Sequence, residues 1–249
     1  MISFQHVSVD YTQGVHALDD VNLNINKQKC IGIIGENGSG KSTLLLSLLN
    51  LVEYDGKIEL DNENILKNIK QVREKIGLVF QNPDHQLFMS TVYQDIAFGL
   101  KNKGYDKQDI NEAVFDIARK LNIEELLKRN PAHLSGGQKR VVSLATVLVM
   151  QPDIILMDEP SSFLDSKSRR LLIEVMSSLS QQIIFATHDL DMALDICDEI
   201  ILLNKGKVIK QAPTLEILQD KVLLERYGLE LPLRLQAYES NRYSTTSQR

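Results

Sequence analysis

Cysteine is nearly missing from these 249 residues: there are two, Cys30 and Cys197. They sit in separate apolar segments with no metal-site or redox spacing, so they read as buried thiols of a reducing compartment. No apolar run approaches the roughly 18 residues needed to span a bilayer. The start, Met1-Ile2-Ser3-Phe4-Gln5-His6, lacks the basic-then-apolar order of a secretion signal. Positive charge is not in excess. A net charge of −5 and a pI near 5.6 argue against a general nucleic-acid binder. Heptads, internal repeats and low-complexity linkers are absent as well. What remains is 43% hydrophobic and 24% charged, the balance of a soluble globular chain with length for one large domain or two lobes.

The chain is organised around Gly35-Glu36-Asn37-Gly38-Ser39-Gly40-Lys41-Ser42. Every fixed position of the phosphate-loop pattern G-x-x-x-x-G-K-[ST] is filled. The apolar run Cys30–Ile34 before it reads as a buried strand, and Thr43–Leu49 after it as a helix. A chance match in this length is on the order of 1%, and the strand–loop–helix context lowers that further. Glycines let successive N–H groups face an anion, and a helix start adds positive potential. Lys41 can reach β- and γ-phosphates, and the Ser42 hydroxyl can ligate Mg²⁺. The chain therefore binds a nucleoside triphosphate.

Around the loop, residues 2–9, 21–25, 56–60 and 76–80 read as strands, the first bulged mid-way. From Thr91 to Met150 the pattern turns helical. Thr91-x-x-Gln94 and Ser135-x-x-Gln138 read as capping boxes, and Asp106–Leu121 carries Ile110, Val114, Ile117 and Leu121 at helical spacing. Strand and helix then alternate: 154–157, 167–179, 183–186 and 189–197. A hairpin follows over 199–203 and 207–211, turning at Asn204-Lys205-Gly206. That alternation implies a mostly parallel sheet. Residues 239–249 hold no aliphatic side chain and read as a flexible C-terminal tail.

Ile154–Met157 ends in Asp158-Glu159. In a phosphate-loop protein an acid at a strand end holds Mg²⁺, which suits Asp158; Glu159 can then act as general base on water. Taken alone, such a pair also fits a solvated strand end. Leu134-Ser135-Gly136-Gly137-Gln138 is a helix cap in its own right, and its glycine-rich helix start can also meet a phosphate. The phosphate loop, this LSGGQ stretch and the Asp158-Glu159 pair, in that order, resemble the ATP-binding subunits of ABC transporters. The resemblance runs from about Ile2 to Leu235. It implies a phosphate-loop α/β fold of the ABC ATPase type. The expected parts are a mostly parallel core sheet, an N-terminal antiparallel β subdomain and a helical subdomain inserted at about 90–150, all within residues 1–238.

The resemblance also assigns roles. Tyr11 matches the aromatic residue that stacks on adenine, and Gly35 to Thr43 match the nucleotide-binding loop. Gln81 matches the Q-loop glutamine, which contacts Mg²⁺ and water. Ser162-Phe163-Leu164-Asp165 matches the D-loop, although Phe163 is bulky where a small residue is frequent and Ser166 stands where proline is common. His188 matches the switch histidine at the γ-phosphate. Two such domains are expected to close head-to-tail on two ATP molecules. Ser135, Gly136, Gly137 and Gln138 of one chain then cap the ATP held by the other. The partners implied are a second ATPase subunit, identical or similar, and an integral membrane subunit, with no nucleic acid. The location implied is peripheral, on the cytoplasmic face of the cell membrane.

Asn82-Pro83-Asp84-His85-Gln86-Leu87-Phe88, the Thr91–Gly99 segment and Gly228-Leu229-Glu230-Leu231-Pro232 resemble the energy-coupling-factor importers of metal ions or vitamins. In that group a membrane subunit docks near the Q-loop. Leu87, Phe88 and Phe98 are then the expected apolar docking surface. The alternatives are a soluble ABC ATPase outside transport and the ATPase subunit of an exporter.

Overall fold

The computed structural model describes residues 1–11, 14–27 and 30–236. In chain order the elements are β1 (Ile2–Tyr11), β2 (Val15–Ile25), β3 (Cys30–Ile34), α1 (Lys41–Ser47), β4 (Asp55–Leu60), β5 (Glu63–Asn64), α2 (Ile69–Lys75) and β6 (Ile76–Val79). They continue as α3 (Val92–Asn102), α4 (Lys107–Lys120), α5 (Gly136–Leu148), β7 (Ile154–Asp158), α6 (Ser166–Ser178), β8 (Gln182–Ala186) and α7 (Leu190–Ile196). The last are β9 (Glu199–Asn204), β10 (Lys207–Pro213), α8 (Thr214–Leu218) and α9 (Lys221–Arg226). The chain forms two compact units: residues 1–67 with those from 185 onward, and residues 68–184.

In the first unit, β2-β1-β4-β5 form an antiparallel sheet. Ile2, Phe4, Val7 and Val9 are its buried set on β1. The spacing between Phe4 and Val7 breaks strict alternation. A register shift there restores one face, with His6 at φ 52. The His6 N–H, turned out of the ladder, donates to Asn22 Oδ1 at 3.0 Å. A second set of strands follows another rule. β3 runs parallel to β9, pairing Ile31 with Glu199 and Ile34 with Leu202. Every residue of β3 is buried, as expected of a parallel strand covered on both faces. The β9–β10 hairpin closes through Lys205 and Gly206, both at positive φ (47 and 79), as a two-residue primed turn requires. Helices α7, α8 and α9 complete this core through Leu190, Ile217, Leu218 and Leu224, which pack with Ile34, Ile200 and Leu202.

The second unit has β6 parallel to β7, from Ile76 opposite Ile154 to Val79 opposite Met157. Helix α5 packs against α3 and α6, and α3 against α4. The Ser135 capping box forms with both arms. Thr91 caps α3 through the Gln94 N–H, but Gln94 Oε1 accepts from Ser90 Oγ instead of closing the box. The expected tail, residues 239–249, lies outside the described residues. No helix among the described residues is long and apolar enough to cross a membrane.

Candidate functional site

In the first unit the phosphate loop starts where β3 ends. Gly35, Gly38 and Gly40 take φ of 152, 79 and 105. A Cβ at Gly35 would run into the Leu203 carbonyl oxygen on β9, and one at Gly40 into that of Ala17 on β2. Gly38 faces open space, so φ alone demands glycine there. The β9–β10 turn supports the loop from below: Gly206 N–H donates to the Ser39 carbonyl at 3.0 Å. Buried Lys41 curls back, with Nζ 2.8 Å from the Gly35 carbonyl and 3.0 Å from that of Glu36. Ser39 Oγ is buried with no partner among the described residues. Such a hydroxyl costs about 1–3 kcal/mol unless a ligand completes it. No side chain caps α1 at Gly40, leaving that place for an anion. These features fit a bound polyphosphate.

Three more residues of this unit border the loop. Tyr11, exposed at the end of β1, shares a hydroxyl–hydroxyl bond of 3.2 Å with Thr43. His188 is exposed and held between two anchors. Thr187 N–H donates to the Ile33 carbonyl at 3.0 Å, and Asp189 caps α7 through the Met192 N–H at 2.8 Å. Gly228, at φ 71, lies directly against the Glu36 side chain, so the Gly228–Pro232 segment reaches the phosphate loop.

The second unit holds the other expected site residues. Gln81 is exposed, two residues past β6. A cavity of about 450 Å³ brings it together with Gly136 at the start of α5 and with Ser162–Leu164. Ser135 is exposed, with Oγ accepting from the Gln138 N–H at 3.3 Å. Gly137 abuts α6 so closely that a Cβ would strike Ser168 Oγ. Asp158 is the last residue of β7. Glu159 follows at φ 46, 7% exposed. Phe163 is 91% exposed at φ 64, a left-handed position that a bulky side chain rarely takes. Within this unit Gln81 and Asp158 each carry an oxygen donor, the kind Mg²⁺ prefers; the expected third donor, Ser42, belongs to the first unit. No cluster of three or more His, Cys, Asp or Glu forms among the described residues.

One expectation changes. Leu87 is 7% exposed and belongs to the core. Phe88 (62% exposed) and Phe98 (37% exposed) do stand at the surface, ring to edge, 5.0 Å apart. The two cysteines, far apart in sequence, are neighbours: burial first, then the Cys30 thiol, pushes Cys197 well above its ordinary pKa. Both remain free thiols.

Three polar residues of the second unit hold positions that the sequence did not assign them, although Gln86 and Asp95 lie in the segments that carry the resemblance. Arg140 is 1% exposed; its guanidinium donates to the carbonyls of Phe80 and Gln81, 2.7 Å each. Burial lowers its pKa to about 10 against the opposing pull of Asp158, so it stays charged at neutral pH. Gln86 Nε2 donates to Ser143 O at 2.9 Å and to Thr146 Oγ1 at 2.7 Å. Buried Asp95 accepts the N–H groups of Phe88 and Met89, both at 3.0 Å. The available signal was a charge inside an apolar helical stripe: Arg140 precedes Val141, Leu144, Ala145 and Leu148, all buried.

Comparison with known proteins gives a consistent result. The ABC transporter family model matches residues 18–162, more than half the chain. The chain is 43% identical over 242 residues to the energy-coupling factor transporter ATP-binding protein EcfA of Aster yellows witches'-broom phytoplasma, covering 96% of this chain and 88% of that protein. EcfA of Carboxydothermus hydrogenoformans is 38% identical over 243 residues, covering 96% and 90%. Among solved structures, cbiO1 from Clostridium perfringens, part of the ABC transporter complex cbiONQ, superposes with a TM-score of 0.80 at 36% identity, covering 96% of this chain and 98% of that one. The dimeric ATP-binding cassette MJ0796, bound to ADP and Pi after hydrolysis, superposes with a TM-score of 0.77 at 28% identity, covering 86% and 99%.

Proposed function

The chain belongs to the ATP-binding proteins of the ABC transporter family, and from that membership we propose that it is the ATP-hydrolysing subunit of an energy-coupling-factor importer. The observation that carries the transport reading is the similarity to EcfA proteins along 96% of the chain. The sequence motifs for ATP chemistry accompany it.

In this reading the loop Gly35–Thr43 and Lys41 hold the β- and γ-phosphates, and Tyr11 stacks on adenine. Ser42, Gln81 and Asp158 are the oxygen ligands for Mg²⁺, which when bound offsets the charge of the phosphates. Glu159 accepts a proton from the water that attacks the γ-phosphorus, and His188 donates to the γ-phosphate. The bond from the γ-phosphorus to the bridging oxygen breaks, and ADP departs with that electron pair. Ser135, Gly136, Gly137 and Gln138 act on the ATP of a second ATPase chain, as expected for a head-to-tail dimer. The chain works peripherally, on the cytoplasmic face, with a membrane subunit docked at Phe88 and Phe98.

Affinity capture from native membranes tests this. The expected result is MgATP hydrolysis together with one stoichiometric integral membrane subunit. Hydrolysis by a chain that captures no integral membrane protein would move it to the soluble ABC ATPases.

A further inference from the structure

Ser135 caps helix α5, and within two turns the helix's side chains seize the segment leaving β6. Arg140 forks onto the adjacent carbonyls of Phe80 and Gln81, at 2.7 Å each. Gln86 closes the grip from the other side: its Oε1 accepts the Phe80 N–H at 3.2 Å and its Nε2 reaches Ser143 and Thr146 on α5. Lys139 adds an ion pair with Asp84 at 2.6 Å. Residues 80–86 form only one short 3₁₀ turn, at Pro83–His85, and no strand. Side chains therefore set their position on α5.

Packing alone does not call for arginine here. A buried guanidinium is costly, and a methionine would fill the space without a charge. Arg140 Nε has no partner among the described residues, so the site does not satisfy the whole group. What the fork provides is planar, bidentate geometry, which fits two successive carbonyls only when that peptide is turned toward α5. The charge also acts on Asp158, whose carboxylate favours the guanidinium's ionised form. One buried side chain thus touches the main chain of Gln81 and the field at Asp158 from the helix that Ser135 caps.

We propose that Arg140 is a positioning residue: it fixes the Gln81 peptide to the α5 helix that Ser135 caps, so that the contribution of Gln81 to hydrolysis depends on it. This rests on the ATPase reading and on the role given there to Gln81. A merely structural arginine would alter stability and leave the Gln81 contribution untouched.

The test is a double-mutant cycle on the ATPase with its membrane partners present, reading kcat, KM for ATP and the Mg²⁺ concentration for half-maximal rate. Arg140→Lys keeps the charge and loses the fork. It should lower kcat roughly tenfold and raise the Mg²⁺ requirement, with KM little changed. In a Gln81→Ala background the same change should cost less than about threefold, because the group it positions is gone. Paired with Tyr11→Ala, the effects should multiply. If Arg140→Lys does not fold, Gln86→Met removes the second half of the grip and carries the same cycle. Hydrolysis that depends on Gln81 but shows multiplicative effects with Arg140 and Gln86 overturns this proposal alone. Hydrolysis indifferent to Gln81→Ala overturns the Gln81 role and this proposal with it.

Discussion

Glu159 departs from an ordinary backbone to reach its place: φ is 46 and the residue is almost buried. A left-handed backbone at a buried glutamate costs energy, as strained residues at functional sites do. Glu159→Gln should bind MgATP and lower steady-state phosphate release by about 10²–10⁴, the usual value of one catalytic base. Near-normal release with its partners present would end that assignment. Asp95 makes a different residue-scale prediction. Burial raises its pKa above 3.8, against the opposing bonds from Met89 and Phe88. A carboxylate whose folded pKa is raised destabilises the fold at neutral pH. That penalty is relieved as pH falls through the folded value toward the unfolded one. Asp95→Asn carries no such penalty. Its melting temperature relative to the native protein should therefore fall as the pH is lowered through the raised folded pKa toward 3.8; a difference independent of pH would refute the buried charge.

At the scale of elements, helix starts were the most readable part of the chain. Ser135 and Thr91 announce themselves because a hydroxyl before an apolar helical pattern has one cheap use, satisfying open N–H groups. The phosphate loop was equally plain, since Gly35 and Gly40 admit no side chain beside Leu203 and Ala17. Short elements were not legible. Helices α8 and α9 have five and six residues, too few for a period to show, and are held by Ile217, Leu218 and Leu224 in the core. Nor does sequence reveal which of three apolar residues faces outward after Gln81. The structure separates them, and the separation is testable. Leu87→Asp places a charge in the core and should cost about 3–5 kcal/mol, read as a large fall in melting temperature. Phe98→Asp, half of the surface aromatic pair, should fold normally and lose the membrane subunit on purification. Equal recovery of that subunit by Phe98→Asp and the native chain would remove the docking surface from this face.

For the whole molecule, the decisive question is whether one ATP is handled by two chains. Lys41 lies in the unit formed by residues 1–67 and those from 185 onward, and Ser135 in the unit of residues 68–184. Lys41→Ala and Ser135→Arg, each in a Glu159→Gln background, should separately fail to trap nucleotide. Mixed, they should trap it, since one of the two shared sites then has an intact loop and an intact Ser135. If mixed dimers assemble yet trap no more than the separate variants, each chain handles its own ATP. The parallel pairing of β3 with β9 has a consequence during synthesis. Ile34 pairs with Leu202, whose codon is read 168 positions later. At ~5–20 residues per second the ribosome needs roughly 8–34 s to cover that distance. In that interval residues 68–184 are complete, while the nucleotide loop still lacks the strand that walls it. A chain released before β9 is made therefore carries the phosphate-loop sequence without the strand against which Gly35 packs.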